Sequence, residues 1–509
     1  MYPLTTLLCL LTALAVAQPY QPPAFMDPNR AATVKALAPK IDAIYREWAT
    51  KQHFPGLTYG VVVDGQLILS GNTGFTDVAQ KTPATPQSVF RIASMSKSVT
   101  AMAILKLRDA GKLTLDDPIS RFIPEAKNLR SFATDAPAIT IRDLLTHAGG
   151  FPEDNPWGDR QLADTDAELL RHLREGVSFS NVPGIRYEYS NMGFALLGRI
   201  ITVVAKQPYQ QYITEQIFKP LGMTHTEWEY TRVPAAQLAH GYRWLNEQWV
   251  EEPLLADGSY GAMGGLLTSI DDFARYVALH LSAWPPRSDA ESPVLKRSSL
   301  REMHLPRTFR DMNPAFRLPS GRTTPIVNHY AYGLGWSHDV DNREYVGHSG
   351  GLPGFGSQWR MLPDYGIGVI AFGNLTYAGL NTPNWAVIDL LLTEAKLQPR
   401  QLPVSAILAQ RKAELVALLP DWNGAGKSTI FAENFFPDES LADRQKASKA
   451  MFANIGKVVR VGELKPENQL RGQFRIEGER GAVDVFFTLT PERPALIQQL
   501  DLTEVAQKL

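Results

Sequence analysis

Cysteine is almost absent from this chain of 509 residues, because its one cysteine is Cys9. Cys9 lies in an apolar leader, so the rest of the chain has no disulfide and no thiol nucleophile and must rely on its apolar cores for stability. The chain also has no excess of charge of one sign, because it contains 51 Lys and Arg residues and 52 Asp and Glu residues. This balance excludes the basic surface typical of nucleic-acid binding. The ten histidines show no ligand-like spacing, so we expect neither a metal site nor a cofactor.

The first 17 residues, "MYPLTTLLCLLTALAVA", combine a short apolar core with a small-x-small ending at Ala15-Val16-Ala17. This pattern predicts a secretory signal peptide that is cleaved before Gln18 and is too short to span a membrane. An uncleaved amphipathic anchor is the alternative. Leu8 is not the small residue that a lipoprotein site needs before Cys9. We therefore expect an exported protein, periplasmic or secreted, without an integral membrane segment after cleavage.

The length of the chain predicts two folded units. In the first, two β-rich runs flank Asp64-Gly65, a hairpin signal, and strands return near residues 332–374. Helices and Gly/Pro-rich loops are expected from about residue 117 to 325, and a helix is expected to begin at Thr382-Pro383 with a good N-cap. Strands at both ends with helices between them predict an α+β fold, in which one antiparallel sheet is built from both termini beside a helical lobe.

The predicted boundaries place the first domain at residues 26–396 and a linker at 397–404. Residues 405–509 contain two helical segments and several strand-like runs, which predicts a small α+β domain. "GAGKST" at 424–429 is similar to a phosphate-binding loop, but that pattern requires glycine at the position of Asp421. We interpret it as a turn.

The segment "SMSK" places Ser94 and Lys97 three residues apart at the start of an apolar helix. Residues i and i+3 share a helix face, so the Lys97 amine can reach the Ser94 hydroxyl. Free N–H groups at a helix start also favour developing negative charge. The pattern alone is weak, because about two Ser-x-x-Lys matches are expected by chance in a chain of this length. A polar first turn on a core helix is the alternative.

Two further segments favour a catalytic role for Ser94 and Lys97 over a polar first turn. They are Tyr189-Ser190-Asn191 and His348-Ser349-Gly350-Gly351. Each has a structural interpretation when taken alone, since Ser190 and Asn191 are good helix caps and His348 fits a half-buried histidine. Taken with Ser94 and Lys97, however, the three segments favour a single catalytic site. We assign His147 to structure, with a bond to a backbone carbonyl. We regard the Asn374-Leu375-Thr376 glycosylation pattern as accidental.

The order of these three segments resembles the serine β-lactamase and penicillin-binding-protein-like superfamily, on the side of the class C β-lactamases. Three other stretches are similar to the same superfamily: "LLTHAGG" (144–150), "IFKPLGMTHT" (217–226) and "GGLLTSIDDFARY" (264–276). The resemblance covers about residues 26–396. It implies an antiparallel sheet of five or more strands flanked by helices, together with an all-helical lobe.

The resemblance also implies a role for each site residue. Ser94 would be the acylated nucleophile, with Lys97 and Tyr189 as general base and acid, and Asn191 would bind Lys97 or the substrate amide. The backbone N–H groups of Ser94 and Gly351 would form the oxyanion hole, and His348, Ser349 and Gly350 would complete the substrate-binding strand. A lysine base near pH 7 needs its pKa lowered by about three units, roughly 4 kcal/mol.

His348 stands where many members of the superfamily carry a lysine that offers a fixed positive charge to a substrate carboxylate. A histidine is mostly neutral at pH 7, which weakens such recognition. We therefore expect an exported serine hydrolase that acts on esters or on D-Ala-D-Ala-like peptides, that is, on a small molecule or short peptide. The alternatives are a weak class C-like β-lactamase and a non-catalytic protein that binds peptides or β-lactams.

Overall fold

The computed structural model describes residues 20–129 and 131–506. The predicted signal peptide, residues 1–17, lies outside the described residues. The chain divides into two compact units, which we call the large unit (Asp27–Pro399) and the small unit (the residues before Asp27 together with Arg400–Leu509). Within the small unit, Ala24 pairs with Gln401 in an antiparallel bridge.

The large unit is built on a nine-stranded antiparallel sheet with the spatial order β3-β2-β1-β13-β12-β11-β10-β9-β8. The predicted α+β class is confirmed, and the sheet joins the two ends of the unit because β1 pairs with β13. Two short strand pairs, β4–β7 and β5–β6, lie outside this sheet. The strands are β1 (Gly56–Val63), β2 (Gln66–Asp77), β3 (Thr82–Pro83), β4 (Phe90–Arg91), β5 (Gly241–Leu245), β6 (Gln248–Glu252), β7 (Leu267–Thr268), β8 (Thr308–Arg317), β9 (Thr323–Tyr330), β10 (Gly335–Asp339), β11 (Glu344–Leu352), β12 (Phe355–Leu362) and β13 (Ile367–Gly373).

Helices cover both faces of this sheet, so its central strands are apolar on both sides. Every residue of β1, "GLTYGVVV", is buried. One core contains side chains of α3, α7 and α11, and the other contains side chains of α2 and α13. The helices are α1 (Arg30–Ala36), α2 (Ala38–Lys51), α3 (Ser96–Asp109), α4 (Ile141–Leu145), α5 (Asn155–Gly158), α6 (Asp166–Glu175), α7 (Asn191–Ala205), α8 (Tyr209–Ile213), α9 (Lys219–Leu221), α10 (Gly261–Gly264), α11 (Ile270–Leu281), α12 (Arg297–His304) and α13 (Asn381–Thr393).

The hairpin predicted at Asp64-Gly65 joins β1 to β2. Both residues have positive φ, 51° and 78°, as a two-residue turn between twisted strands requires. Asn374, the residue of the glycosylation pattern, is fully buried and accepts a hydrogen bond from the backbone N–H of Gly56 at 2.7 Å. That pattern is therefore structural.

Two predictions for the large unit are wrong. The region from 117 to 325 is not only helix and loop, because it contains β8, the start of β9 and the β5–β6 hairpin. β8 is mostly exposed and carries Pro314 at a register shift between Asn313 and Phe316, so it lacks the apolar alternation by which strands are recognised. Helix α13 begins at Asn381, close to the expected start, but the predicted N-cap is wrong, because the residue at the cap is Leu380, which makes no side-chain hydrogen bond.

Within its described residues, the small unit contains a five-stranded antiparallel sheet and three helices. Side chains alternate between exposed and buried along β16, so Phe474 and Ile476 face the core. The segment 424–429 is a turn, as predicted, with Gly424 at a φ of 81°. The elements are α14 (Ala406–Leu418), α15 (Phe435–Asp438), α16 (Leu441–Ile455), β14 (Val458–Val461), β15 (Lys465–Asn468), β16 (Arg471–Gly478), β17 (Gly481–Leu489) and β18 (Ile497–Ala506).

Across the described residues of both units, no helix is long and apolar enough to cross a bilayer.

Candidate active site

Ser94 lies in a 3-10 turn, Ala93–Met95, that leads directly into α3. Ala93, the residue before it, has a φ of 50°, a left-handed conformation that costs free energy in a residue with a Cβ. The surrounding structure holds this turn: the Ser357 hydroxyl on β12 donates to the carbonyl of Ile92 at 2.7 Å. Ser94 is therefore presented from a strained and anchored turn.

Strand β11 passes very close to this turn at Gly350. A Cβ placed on Gly350 would lie 2.2 Å from the carbonyl oxygen of Ile92. Only a glycine permits this approach, and it brings the end of β11, with Ser349 and Gly351, alongside Ser94.

Lys97 is fully buried beneath Ser94. Its Nζ lies 3.0 Å from Ser94 Oγ, 2.7 Å from Asn191 Oδ1 and 3.0 Å from the carbonyl oxygen of Met263. A protonated Lys97 can donate to all three acceptors. A neutral Lys97 keeps the bonds to Asn191 and Met263, which leaves its lone pair to accept the Ser94 proton.

Burial lowers the pKa of Lys97 to about 7, while Asp159 and Asp154 act in the opposite direction. Removing an ammonium from water disfavours its charged form, and nearby carboxylates favour it. A substantial share of Lys97 is thus neutral near pH 7. Burial alone lowers this pKa, since the nearby charges that affect it are negative.

Tyr189 and Asn191 flank the N-cap of α7. Ser190 is the cap, and its hydroxyl accepts from the backbone N–H of Gly193. The cap interpretation is confirmed for Ser190, and Asn191 lies next to Lys97. Burial raises the pKa of Tyr189 well above its ordinary value, and a hydrogen bond with Ser94 opposes that shift only in part. Tyr189 is accordingly a neutral phenol at neutral pH, next to Ser94.

His348 uses both of its ring nitrogens within the protein. Nδ1 lies 2.5 Å from the carbonyl oxygen of Ser349, and Nε2 lies 2.9 Å from the Tyr330 hydroxyl. A carbonyl only accepts, so Nδ1 carries the proton and Nε2 accepts from Tyr330. Burial and the charge of Lys97 lower the pKa of His348. His348 is therefore neutral and has no free donor for a substrate carboxylate.

A cavity of about 760 Å³ opens above Ser94. Lys97 and Asn191 lie beneath it, fully buried. The other predicted site residues all line it: Ser94, Tyr189, His348, Ser349, Gly350 and Gly351. In the part of the chain that the structure describes, no group of three or more His, Cys, Asp or Glu side chains is placed to hold a metal ion.

A sequence model of the family described as Beta-lactamase matches residues 41–393, well over half of the chain. The chain belongs to the Beta-lactamase family. Protein flp from Staphylococcus aureus (strain NCTC 8325 / PS 47) is 30% identical over 341 residues, which cover 66% of this chain and 63% of that relative. The match thus spans less than two thirds of the relative's length.

Solved structures of low identity share the fold of this Beta-lactamase family member. The octameric penicillin-binding protein homologue from Pyrococcus abyssi has a TM-score of 0.59 at 21% identity, and the match covers 92% of this chain and 96% of that one. A class C β-lactamase has a TM-score of 0.56 at 19% identity, covering 70% and 96%. The resemblance to the β-lactamase and penicillin-binding-protein-like superfamily is confirmed.

Three residues of this Beta-lactamase family site were missed by the sequence analysis. Asp154 accepts from the backbone N–H groups of Asn191 and Met192 at 2.6 and 2.9 Å and so fixes the start of α7. The side-chain NH₂ of Asn191 donates to Asn155 Oδ1 at 3.0 Å and to Asp159 Oδ1 at 3.3 Å. These acceptors direct the Asn191 oxygen toward Lys97. Their segment, "PEDNPWGDR", carries no periodic pattern that would have singled them out.

His147 is structural, as predicted, but its predicted bond is wrong. Its Nδ1 accepts from the backbone N–H of Ser190 at 3.1 Å, rather than donating to a carbonyl. Its φ is 55°, and its ring packs against Tyr189 with centroids 4.2 Å apart. His147 thereby supports the side chain that stands beside Ser94.

Proposed function

We propose that this protein is an exported serine hydrolase that forms an acyl-enzyme on Ser94 and acts on esters or on short D-amino-acid peptides. The observation that carries the proposal is the 3.0 Å contact between Lys97 Nζ and Ser94 Oγ. It joins a hydroxyl that lines the cavity to a buried amine whose pKa burial lowers to about 7. A serine becomes a nucleophile when such a base accepts its proton.

In the proposed mechanism, the neutral amine of Lys97 takes the Ser94 proton as Oγ bonds to the substrate carbonyl carbon. The carbonyl oxygen gains negative charge, which the backbone N–H groups of Ser94 and Gly351 stabilise. One such donor is typically worth about 3–4 kcal/mol. Tyr189 gives its phenolic proton to the leaving group as the carbon–oxygen or carbon–nitrogen bond breaks, and Lys97 then returns a proton to Tyr189. Water releases the acyl group by the same transfers in reverse.

The state of His348 favours esters and peptides over β-lactams. A β-lactam of the usual kind carries a carboxylate beside its ring, and a neutral His348 with both nitrogens engaged offers it no charge and no free N–H. Strong β-lactamase activity would require the carboxylate to bind a different cation of the cavity wall, such as Arg310. The same observation makes weak β-lactam turnover the second candidate rather than the first.

Export is part of this proposal and depends on the sequence of residues 1–17. It is tested by expressing the full chain in a Gram-negative host and sequencing the N-terminus of the protein recovered from the periplasm. A mature chain that begins at Gln18 is expected. A full-length chain retained in the cytoplasm would contradict export and leave the hydrolase proposal standing.

Hydrolysis is tested with 4-nitrophenyl butyrate. The wild-type protein should release nitrophenol with saturation kinetics, and Ser94→Ala should lose at least about 10³-fold in kcat/KM, since nothing else supplies the nucleophile. Ser288→Ala, an exposed serine that does not line the cavity, is the matched control and should match the wild type. Full activity in Ser94→Ala would refute the assignment, and a wild type inactive on esters and D-peptides alike would favour the non-catalytic alternative.

A further inference from the structure

Arg360 faces the opposite side of the sheet from Ser94. Its strand, β12, alternates: Ser357 bonds the Ser94 turn, and Trp359 packs against Phe273 of α11 with ring centroids 5.8 Å apart. Successive side chains of a strand point to opposite faces, so Arg360, which follows Trp359, points to the face opposite Ser357 and Trp359. There its guanidinium carbon lies 4.1 Å from the ring centre of Trp385 on α13.

The guanidinium of Arg360 has no acidic partner. Among the described residues it makes one hydrogen bond, from Nη2 to Asn381 Oδ1 at 2.9 Å, and its buried Nε has no acceptor. Burial lowers its pKa to about 10, and no carboxylate opposes this shift, so it is charged at neutral pH. Arg411, which is buried in the small unit, instead pairs with Glu414 at 2.7 Å. Arg360 is half-buried, and a partly desolvated cation without a counter-ion is costly, so an anionic ligand would reduce that cost.

Glycines occupy the two cross-strand positions beside Arg360. Gly347 on β11 is the cross-strand partner of Arg360, and Gly335 on β10 is the partner of Gly347. A Cβ on Gly335 would meet nothing closer than 3.5 Å. A Cβ on Gly347 would lie 2.2 Å from the carbonyl oxygen of Trp359, so that glycine permits the close approach of β11 and β12, and only the position of Gly335 leaves open space on this face.

The cavity connects Arg360 to Ser94 around the free edge of β11. Strand β10 pairs with residues 344–347 of β11 and stops there. Beyond that point, β12 is the only strand paired with residues 348–352 within the described chain, and at the far end the backbone N–H of Tyr377 donates to the carbonyl of Leu352. Both Ser94 and Arg360 line the same cavity, so a ligand that crosses this edge can contact both.

From this geometry we propose that Arg360 is the anion-binding end of the cavity, and that it binds a carboxylate at the far end of the substrate from the scissile bond. The inference rests on the proposed hydrolase function. A planar guanidinium that lies over the Trp385 ring and bonds Asn381 can offer a carboxylate two parallel hydrogen bonds. The other polar side chains beside Arg360, which are Ser349, Gln358 and Asn381, are neutral. Arg360 therefore supplies a single positive charge, which balances a carboxylate but not a doubly charged phosphate.

The position of Arg360 also differs from that of His348, the first residue of the third segment that resembles the superfamily. His348 faces the Ser94 side of the sheet, through its contacts with Tyr330 and Tyr189, whereas Arg360 faces the α13 side. A carboxylate on Arg360 is therefore farther along the substrate than one that binds beside the scissile bond.

The experiment compares linear carboxylates with the uncharged amides of the same chain length, from hexanoate and hexanamide to decanoate and decanamide. Each is tested as an inhibitor of 4-nitrophenyl butyrate hydrolysis in wild type, Arg360→Gln and Arg360→Lys. At one or more lengths the carboxylate should be a competitive inhibitor about 10-fold or more stronger than its amide, as a hydrogen bond to a charged group warrants. Arg360→Gln should erase the difference in inhibition between carboxylate and amide. Arg360→Lys should keep part of it, because a lysine retains the positive charge but lacks the two parallel N–H donors of a guanidinium.

Arg471→Gln, an exposed arginine of the small unit paired with Glu467, is the control and should keep the wild-type difference. The inference is overturned if carboxylates and amides inhibit the wild type equally, or if Arg360→Gln keeps the difference. Titration calorimetry of octanoate against Ser94→Ala, with and without Arg360→Gln, measures the same site without turnover. A failure of the hydrolase proposal, seen as full activity in Ser94→Ala, is therefore distinguishable from a failure of the carboxylate site.

Discussion

The side-chain oxygen of Asn191 lies 2.7 Å from Lys97 Nζ. The opposite end of the same amide donates to Asn155 and Asp159, so the orientation of Asn191 is set by acceptors and Lys97 receives the oxygen. A neutral acceptor holds the amine in place without adding a charge that would keep it protonated.

Asn191→Asp should therefore shift the pH profile. A carboxylate beside Lys97 favours the ammonium, so the pKa of Lys97 rises and the neutral amine appears only at higher pH. We expect the ascending limb of kcat/KM for 4-nitrophenyl butyrate to move upward in pH. A limb that stays at the wild-type pH would contradict the role of Lys97 as base.

Asp159→Asn should have the opposite effect. Asp159 is the strongest of the charges that raise the pKa of Lys97 against burial, so its removal lowers that pKa further. For the wild type, the midpoint of the ascending limb of kcat/KM is expected near pH 7. For Asp159→Asn, this midpoint is expected at a lower pH. Asp311→Asn, which removes another carboxylate from the wall of the same cavity, is the matched control and should leave the limb in place.

His348→Lys tests why this site is expected to be a poor β-lactamase. A lysine at position 348 would present a mobile ammonium where the neutral imidazole presents none. Nitrocefin hydrolysis, followed by absorbance, should rise about 10-fold or more in kcat/KM if one charge-assisted hydrogen bond is gained. His348→Gln should stay at the wild-type level. Rapid nitrocefin hydrolysis by the wild type itself would contradict the prediction that a neutral His348 limits β-lactamase activity.

Gly350→Ala tests the close approach of β11 to the Ser94 turn. Its Cβ would lie 2.2 Å from the carbonyl oxygen of Ile92, a backbone atom that cannot move aside alone. Overpacking of this kind costs about 1–3 kcal/mol, so thermal melting should show a lower midpoint together with lost activity. Gly379→Ala, where a Cβ would meet nothing within 4 Å, should change the midpoint far less. Equal midpoints for the two variants would contradict the predicted clash.

The sequence predicted the architecture wherever apolar pattern and turn residues agreed. The Asp64-Gly65 hairpin and the apolar runs of β1, β12 and β13 are of this kind. It failed at β8, whose exposed residues and internal Pro314 resemble a loop, because that strand is held by pairing with β9 and not by a buried face.

Prediction of the site divides in the same way. The sequence could predict that Ser94, Lys97 and Tyr189 lie together, because they stand in short motifs with fixed spacing. Asp154 and Asp159 were missed because their effect on Lys97 depends on contacts with α7 that no local pattern encodes. Arg360 was missed because its burial and its lack of a counter-ion exist only in the folded sheet.

The central claim is that Lys97 activates Ser94 for covalent chemistry. Its most direct test is to treat the protein with a fluorophosphonate at pH 8 and locate the adduct by peptide mass spectrometry. We predict one phosphonyl group on the peptide that contains Ser94, formed at least about 100-fold more slowly in Lys97→Ala. An adduct on a different serine, or equally fast labelling of Ser94 in Lys97→Ala, would contradict the account.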